Sequence, residues 1–232
     1  MKPIQKVAVL GAGTMGSRIA AHLANAGVAT VLLDIVAPNS APDLKPGARS
    51  QIAAAGLEGA RKSKPAAFFE ASLANLVTVG NFDDDLAKVA DADWIIEAVV
   101  ENLDLKRALL RKVEDHRRPG TIITTNTSGL PVHSIAEGFS EDFRRHWFGT
   151  HFFNPPRYMR LLEIIATPET DPAALEAVLT EVPKDAARIV VAAERAGCRG
   201  RATGPGGQPH AAVEPRRNHH RCHGAGRARH RL

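Results

Sequence analysis

Lys6-Val7-Ala8-Val9-Leu10-Gly11-Ala12-Gly13-Thr14-Met15-Gly16, together with the eighteen residues that follow it to Asp34, decides the fold of this chain. Lys6 to Leu10 is a short apolar run that Gly11 ends, which predicts a buried strand. From Thr14 to Ala26 the apolar residues Met15, Ile19, Ala20, Leu23 and Ala24 recur at helical spacing, and Gly27 stops them. Thr30-Val31-Leu32-Leu33 is a second β-branched run and ends on Asp34. The order is strand, glycine-rich turn, helix, strand: a βαβ unit.

Outward from this unit the pattern continues. Residues 38–43 form a Pro/Asn/Ser/Asp loop, residues 47–63 an Ala-rich helical segment, and Lys64-Pro65 a break. Strands are predicted at 76–79, 94–99, 121–125, 148–153, 161–165 and 188–193. Helices are predicted near 84–90, 103–117 and 172–181, the last opened by Asp171 as N-cap with Pro172 at the first helical position. This alternation predicts an α/β fold with a doubly wound, mainly parallel sheet covered by helices on both faces.

At 44% hydrophobic residues the chain can bury a globular core, which excludes disorder throughout. Its formal charge of +5 invites a nucleic-acid reading, but residues 195–232 hold nine Arg and one Glu, a formal +8, leaving −3 for residues 1–194. The basic character is confined to the tail, no nucleic-acid reading motif accompanies it, and no nucleic-acid partner is expected. Both cysteines, Cys198 and Cys222, lie there too, so residues 1–194 have no thiol for a disulfide, which fits a reducing compartment. The first apolar stretch is interrupted by Gly11 and Gly13 and is too short for a signal or membrane segment, so a cytoplasmic protein is expected, with no membrane partner.

Beyond Glu194 the composition turns to Arg, His, Gly, Pro and Ala, with no Ile, Phe, Trp, Tyr or Met. Such a segment cannot build a core. The expected organisation is a folded domain over residues 1–190 and a disordered basic tail over 191–232. The bias of that tail is what a GC-rich gene gives when read out of frame, so a frameshift or truncation product is expected. His219-His220-Arg221-Cys222-His223 places tandem ligands with no fold to space them, a poor tetrahedral site, and no metal is expected.

Gly11, Gly13 and Gly16 match G-x-G-x-x-G between a strand and a helix. In this context the first glycine makes the tight turn, the second lets backbone approach a pyrophosphate, and the third lets helix pack on strand. The helix N-terminus then faces the phosphates. Asp34 would accept hydrogen bonds from the adenosine ribose hydroxyls and repel a 2′-phosphate, which favours NAD over NADP.

The glycine segment, Ile96-Glu97-Ala98-Val99-Val100-Glu101-Asn102, Asn126-Thr127-Ser128 and above all Gly149-Thr150-His151-Phe152-Phe153-Asn154-Pro155-Pro156 resemble the N-terminal Rossmann domain of 3-hydroxyacyl-CoA dehydrogenases, from Lys6 to about Thr170. The resemblance implies NAD-dependent oxidation of (S)-3-hydroxyacyl-CoA to 3-ketoacyl-CoA in fatty-acid β-oxidation, with an acyl-CoA as the substrate partner. By it His151 is the catalytic base, and a group titrating near neutrality suits a step that takes a hydroxyl proton and returns it in reverse. Glu163, twelve residues on in an apolar run, matches the acidic partner of the histidine. Ser128 matches the serine that bonds the reacting oxygen. Thr14 and Met15 belong to the cofactor loop; Asn154 matches a nicotinamide-site position, and Glu101 and Lys106 match cofactor contacts. Lys62 and Lys64 lie where the family meets CoA phosphates, although solvated charge explains them equally well. Family members continue into an all-helical domain that closes the cleft and forms the dimer, and the residues after about Lys184 do not resemble it. Two alternatives stay open: a catalytically inactive NAD-binding fragment, and a different Rossmann 3-hydroxyacid dehydrogenase, a class that uses a catalytic lysine.

Overall fold

Hydrophobic burial sets the architecture in the computed structural model, which describes residues 3–38, 46–181 and 188–193. Strand β1 (Lys6–Leu10), helix α1 (Thr14–Asn25) and β2 (Ala29–Asp34) form the expected βαβ unit. Next come α2 (Pro46–Arg49), α3 (Gln51–Arg61), a 3-10 turn at Ala71–Leu76 and β3 (Val77–Asn81). A second 3-10 turn at Leu86–Asp91 leads to β4 (Trp94–Glu97), α4 (Leu103–His116), β5 (Ile122–Thr125), α5 (Val132–Ile135), α6 (Glu141–Arg145) and β6 (Trp147–Phe152). The described elements end with α7 (Pro156–Met159), β7 (Leu161–Ala166), α8 (Pro172–Glu181) and β8 (Arg188–Ala193).

The eight strands form one sheet in the order β3-β2-β1-β4-β5-β6-β7-β8. β1 to β6 pair in parallel, β7 runs antiparallel to β6, and β8 is parallel to β7. Each inner strand is apolar on both sides. On β1, Val7 and Val9 pack into one core with Ile19 and Leu23 of α1, while Ala8 and Leu10 pack into the other with Leu110 and Val113 of α4. A fully buried aliphatic side chain stabilises by about 1.5–3 kcal/mol, against about 0–1 kcal/mol for an exposed ion pair such as Lys6–Asp91. The two apolar layers therefore dominate stability, and the doubly wound, mainly parallel sheet follows from them.

The differences from the sequence reading are local. The expected helix at 84–90 is the 3-10 turn at Leu86–Asp91. Asn81 Oδ1 accepts from the amides of Asp83 and Asp84, and Asp85 Oδ2 accepts from Asn81 N, so side chains take bonds a regular helix would use. The helix expected over 47–63 is divided at Ser50, whose buried Oγ accepts from Asn81 Nδ2 at 3.0 Å. The strand expected at 94–99 ends at Glu97, where Val99 N turns to donate to the Glu97 carboxylate. α5, α6 and α7 are too short for periodicity to reveal. Asp171 does cap α8, its Oδ1 accepting from Ala173 N at 2.9 Å. β8 runs to Ala193, past the domain edge expected at 190, whereas the expected tail beyond it and the His219–His223 cluster lie outside the described residues, as does most of the loop expected at 38–43.

The packing predicts a two-stage acid response. His22 on α1 meets Phe152 edge-on at 6.2 Å with its Nδ1 buried and without a hydrogen-bond partner, and burial pushes its pKa below the usual 6.5. Its neutral form is thus favoured in the folded state; the associated stability is complete above pH 6.5 and is lost as pH falls through the lowered value. Burial alone would raise the Asp142 carboxyl, but hydrogen bonds from Arg117 and Gly120 N–H outweigh it, and Ala173 N–H and Arg145 likewise hold Asp171 below 3.8. These carboxylates contribute above pH 3.8 and are lost below it. Urea midpoints followed against pH should be flat above 6.5, fall once below it and again below 3.8, and His22→Phe should remove the first fall alone. An unchanged first fall in the variant would assign it elsewhere.

Candidate functional site

The strand order reverses between β1 and β4, and there the carboxyl ends of the strands leave a crevice. The glycine turn sits at its floor. Gly11 has φ +102°, and a Cβ on it would lie 2.6 Å from Ala98 O. A Cβ on Gly16 would lie 1.8 Å from Gly11 O, so the helix can reach the strand only without a side chain there. Gly13 differs: a Cβ on it would meet nothing within 4 Å, which leaves space above its backbone. Gly13 is also the N-cap of α1 and supplies no side-chain cap, so the first-turn amides of a 12-residue helix stand uncapped beside that space. Asp34, at the end of β2, turns back to the loop. Its Oδ2 accepts from Ala12 N at 2.5 Å and its Oδ1 from Ile35 N at 2.7 Å, and an ionised carboxylate has acceptor capacity beyond these two bonds.

Two clefts flank this turn and share Gly13, Ala98, Val99 and Val100. The first is lined by Gly11 and Asp34 and by the exposed apolar side chains of Ile35, Val100 and Leu105, an apolar slot beside a carboxylate. The second holds Thr14 and Met15 from the start of α1, Glu101 after β4, Ser128 after β5, and His151 and Asn154 from β6 and its end.

His151 and Glu163 are directly opposed in the antiparallel pairing of β6 with β7. His151 Nδ1 lies 3.3 Å from Glu163 Oε2, and the two side chains are 22% and 35% exposed, so both are partly desolvated yet reachable. The Phe153 ring packs at 4.7 Å on the imidazole. Asn126 Oδ1 accepts from Phe152 N at 2.8 Å, pinning the strand beside the histidine. Glu101 joins two loops: it accepts from Thr127 Oγ1 at 2.5 Å and from Ser128 N at 3.0 Å. Asn154 Oδ1 accepts from Arg18 on α1.

Of the expected site residues, Gly11, Gly13, Thr14, Met15, Asp34, Glu101, Ser128, His151 and Asn154 line the clefts, while Gly16 and Glu163 stand directly behind them. Lys106 is placed differently from the others. It is 1% exposed, lies under the loop after β4, and points its ammonium at Glu97 and Val99 O instead of into either cleft. Lys62 and Lys64 are exposed after α3, with Lys62 paired to Glu58 at 3.0 Å. The sequence reading gave no role to Arg18, Glu97 or Asn126. For Glu97 a signal existed, an acid closing the apolar run Trp94-Ile95-Ile96, the same signal that drew attention to Glu163. Among the described residues no His/Cys/Asp/Glu cluster is arranged to hold a metal ion, and no helix is long and apolar enough to cross a membrane.

A family profile described as the NAD binding domain of 3-hydroxyacyl-CoA dehydrogenase matches residues 6–195. The chain belongs to this family. Relatives include a probable 3-hydroxyacyl-CoA dehydrogenase of Deinococcus radiodurans, 51% identical over 173 residues that cover 75% of this chain and 48% of that protein. A putative fatty acid oxidation complex trifunctional enzyme of Rickettsia felis is 40% identical over 162 residues, covering 70% of this chain and 22% of that protein. The crystal structure of 3-hydroxybutyryl-CoA dehydrogenase from Escherichia coli superposes with a TM-score of 0.68 at 26% identity, covering 83% of this chain and 39% of that one. The chain thus spans about half the length of the first relative and less of the other two. The cofactor of the family is NAD, and the space above Gly13, the uncapped start of α1 and the Asp34 carboxylate fit a dinucleotide.

Proposed function

We propose that residues 1–190 bind NAD along the crevice and supply the acid–base half of an NAD-dependent oxidation of (S)-3-hydroxyacyl-CoA to 3-ketoacyl-CoA, with residues 191–232 contributing no group to the site. The observation that carries this reading is the His151–Glu163 pair, opposed across two strands, with His151 in the same cleft as Thr14, Ser128 and Asn154 and Glu163 directly behind it. NAD, when bound, supplies the hydride acceptor. With Nδ1 directed at Glu163, the ring proton belongs on Nδ1 and Nε2 keeps the lone pair that takes the substrate hydroxyl proton. Glu163 orients the ring and stabilises the imidazolium as it forms, the role an aspartate plays in a hydrolase triad. Ser128 Oγ hydrogen-bonds the reacting oxygen. In the reverse direction His151 returns the proton to the alkoxide oxygen.

The lysine-dependent 3-hydroxyacid dehydrogenases fit less well, because among the described residues no lysine lines the second cleft and Lys106 is held on Glu97. The fatty-acid oxidation name of the Rickettsia relative supports β-oxidation as the setting, and the absence of thiols before Cys198 is compatible with a reducing, cytoplasmic compartment. The test is NADH titration by fluorescence together with NADH-dependent reduction of acetoacetyl-CoA and of free acetoacetate. NADH binding with at most very weak reduction, confined to the thioester, is the expected result. Equal reduction of the free acid would favour the other dehydrogenase class, and binding without any turnover would mark the chain as an NAD-binding fragment.

Asp34 gives a separate check on cofactor choice. Asp34→Asn keeps an acceptor for Ala12 N but removes the charge, so NADH affinity should fall about 10- to 100-fold, the worth of a hydrogen bond to an ionised group. NADPH should lose much less. An unaltered NADH/NADPH ratio would remove Asp34 as the selector.

A further inference from the structure

Two charges lie in the core where the proposed chemistry uses neither. The Glu97 and Lys106 side chains are 0% and 1% exposed. A buried ion pair is weak evidence for stability, because well-packed apolar residues often replace one at no cost. What this pair bonds is more specific. Glu97 Oε1 accepts from Lys106 Nζ at 2.7 Å and from Val99 N at 2.7 Å; Glu97 Oε2 accepts from Lys106 Nζ at 2.9 Å and from Thr125 Oγ1 at 2.6 Å. Lys106 Nζ donates its remaining bond to Val99 O at 3.2 Å. Val99 is therefore held at its N–H by the acid and at its carbonyl by the base.

Val99 is not an arbitrary residue. Ala98, Val99 and Val100 line both clefts, and Ala98 is the backbone against which Gly11 packs. Glu101 follows immediately and carries Thr127 and Ser128 through its carboxylate. The second loop is fixed through the same acid, since Thr125 Oγ1, which donates to Glu97, accepts from Thr127 N at 3.3 Å. One buried carboxylate thus ties together the loop after β4, the loop after β5 and helix α4.

We infer that Glu97 and Lys106 are positioning residues that clamp the Val99 peptide, and that Lys106 serves the cofactor through that peptide without touching it. The inference rests on the cofactor reading above and adds to it which groups hold the shared wall of the two clefts. Charge serves better than an apolar pair here, because the acid accepts from the N–H and the base donates to the C=O of half-buried Val99, which apolar side chains would leave without partners.

The test uses the whole chain with Lys106→Met, the double variant Glu97→Gln/Lys106→Met, and Phe143→Leu as a destabilised control in the distant packing of α6. NADH dissociation constants and amide exchange at Val99 are measured for each. Lys106→Met should weaken NADH binding roughly tenfold and speed Val99 exchange. The double variant, with no charge stranded, should recover stability and part of the affinity, and the control should bind like wild type at a similar loss of stability. Wild-type affinity in Lys106→Met, or an equal loss in Phe143→Leu, would overturn the positioning role. Should Lys106→Met fail to fold, the double variant decides: wild-type exchange at Val99 sinks the clamp. If wild type itself binds no NADH, the cofactor reading falls, and the clamp still stands or falls on Val99 exchange.

Discussion

Replacing His151 by Ala in an active member that carries this domain should lower kcat about 10²- to 10⁴-fold, the range expected for a positioned general base, with little change in NADH affinity. The split follows from placement. His151 lies at the end of β6 in the second cleft, whereas Asp34, the proposed ribose acceptor, lines the first. Glu163→Gln should cost less, since the ring keeps a hydrogen-bonding neighbour and loses only the charge that stabilises its protonated form. Its effect should be larger on the pH dependence of kcat than on KM. Steady-state kinetics across pH on the three proteins measures both, and retained turnover in His151→Ala would remove the histidine from the chemistry.

A second large effect separates two glycines of one motif. Gly16→Ala places a methyl 1.8 Å from Gly11 O, backbone against backbone, where neither partner has a rotamer to escape into. The cost should be about 3 kcal/mol or more, the upper range of overpacking, read as a lowered urea midpoint. Gly13→Ala meets nothing within 4 Å, so the midpoint should stay near wild type while NADH affinity falls, because the new methyl occupies the space a pyrophosphate needs. A Gly13→Ala protein that binds NADH normally would show that the phosphates do not approach there.

The strands were legible because those of a parallel sheet buried on both faces are unbroken apolar runs, as Val7 to Leu10 and Trp94 to Ile96 are. Helix α8 was legible from Asp171-Pro172, a local cap that needs no tertiary information. Short pieces escaped: α5 to α7 contain four or five residues each, less than the span over which a period can be seen. Within the site, the glycine turn and Asp34 could be read directly, whereas the His151–Glu163 contact depends on strand register and entered only through family resemblance. Lys106 is instructive in the other direction. It stands on the same stripe of α4 as Leu109, Leu110 and Val113, so its burial was encoded in the spacing, but a lysine there invites a surface reading unless its partner is recognised.

The opposition of His151 and Glu163 gives the site a parity. Side chains alternate along β7, with Leu162 and Ile164 entering the core and Glu163 facing the histidine. A single inserted or deleted residue between Phe152 and Glu163 that shifts the pairing by one would turn the carboxylate into the apolar layer and present a leucine or isoleucine to the imidazole. The segment between the strands opens with Phe153 and Asn154, which line the second cleft, then contains α7 and turns into β7 through Arg160 at φ +49°, so that even the part beyond the cleft has its length constrained by the pairing of base and acid. Loop grafts in this domain can vary that segment's composition beyond Asn154, but a change in its length preserves the His151–Glu163 opposition only where the added residues bulge out and leave the count across the strands in phase.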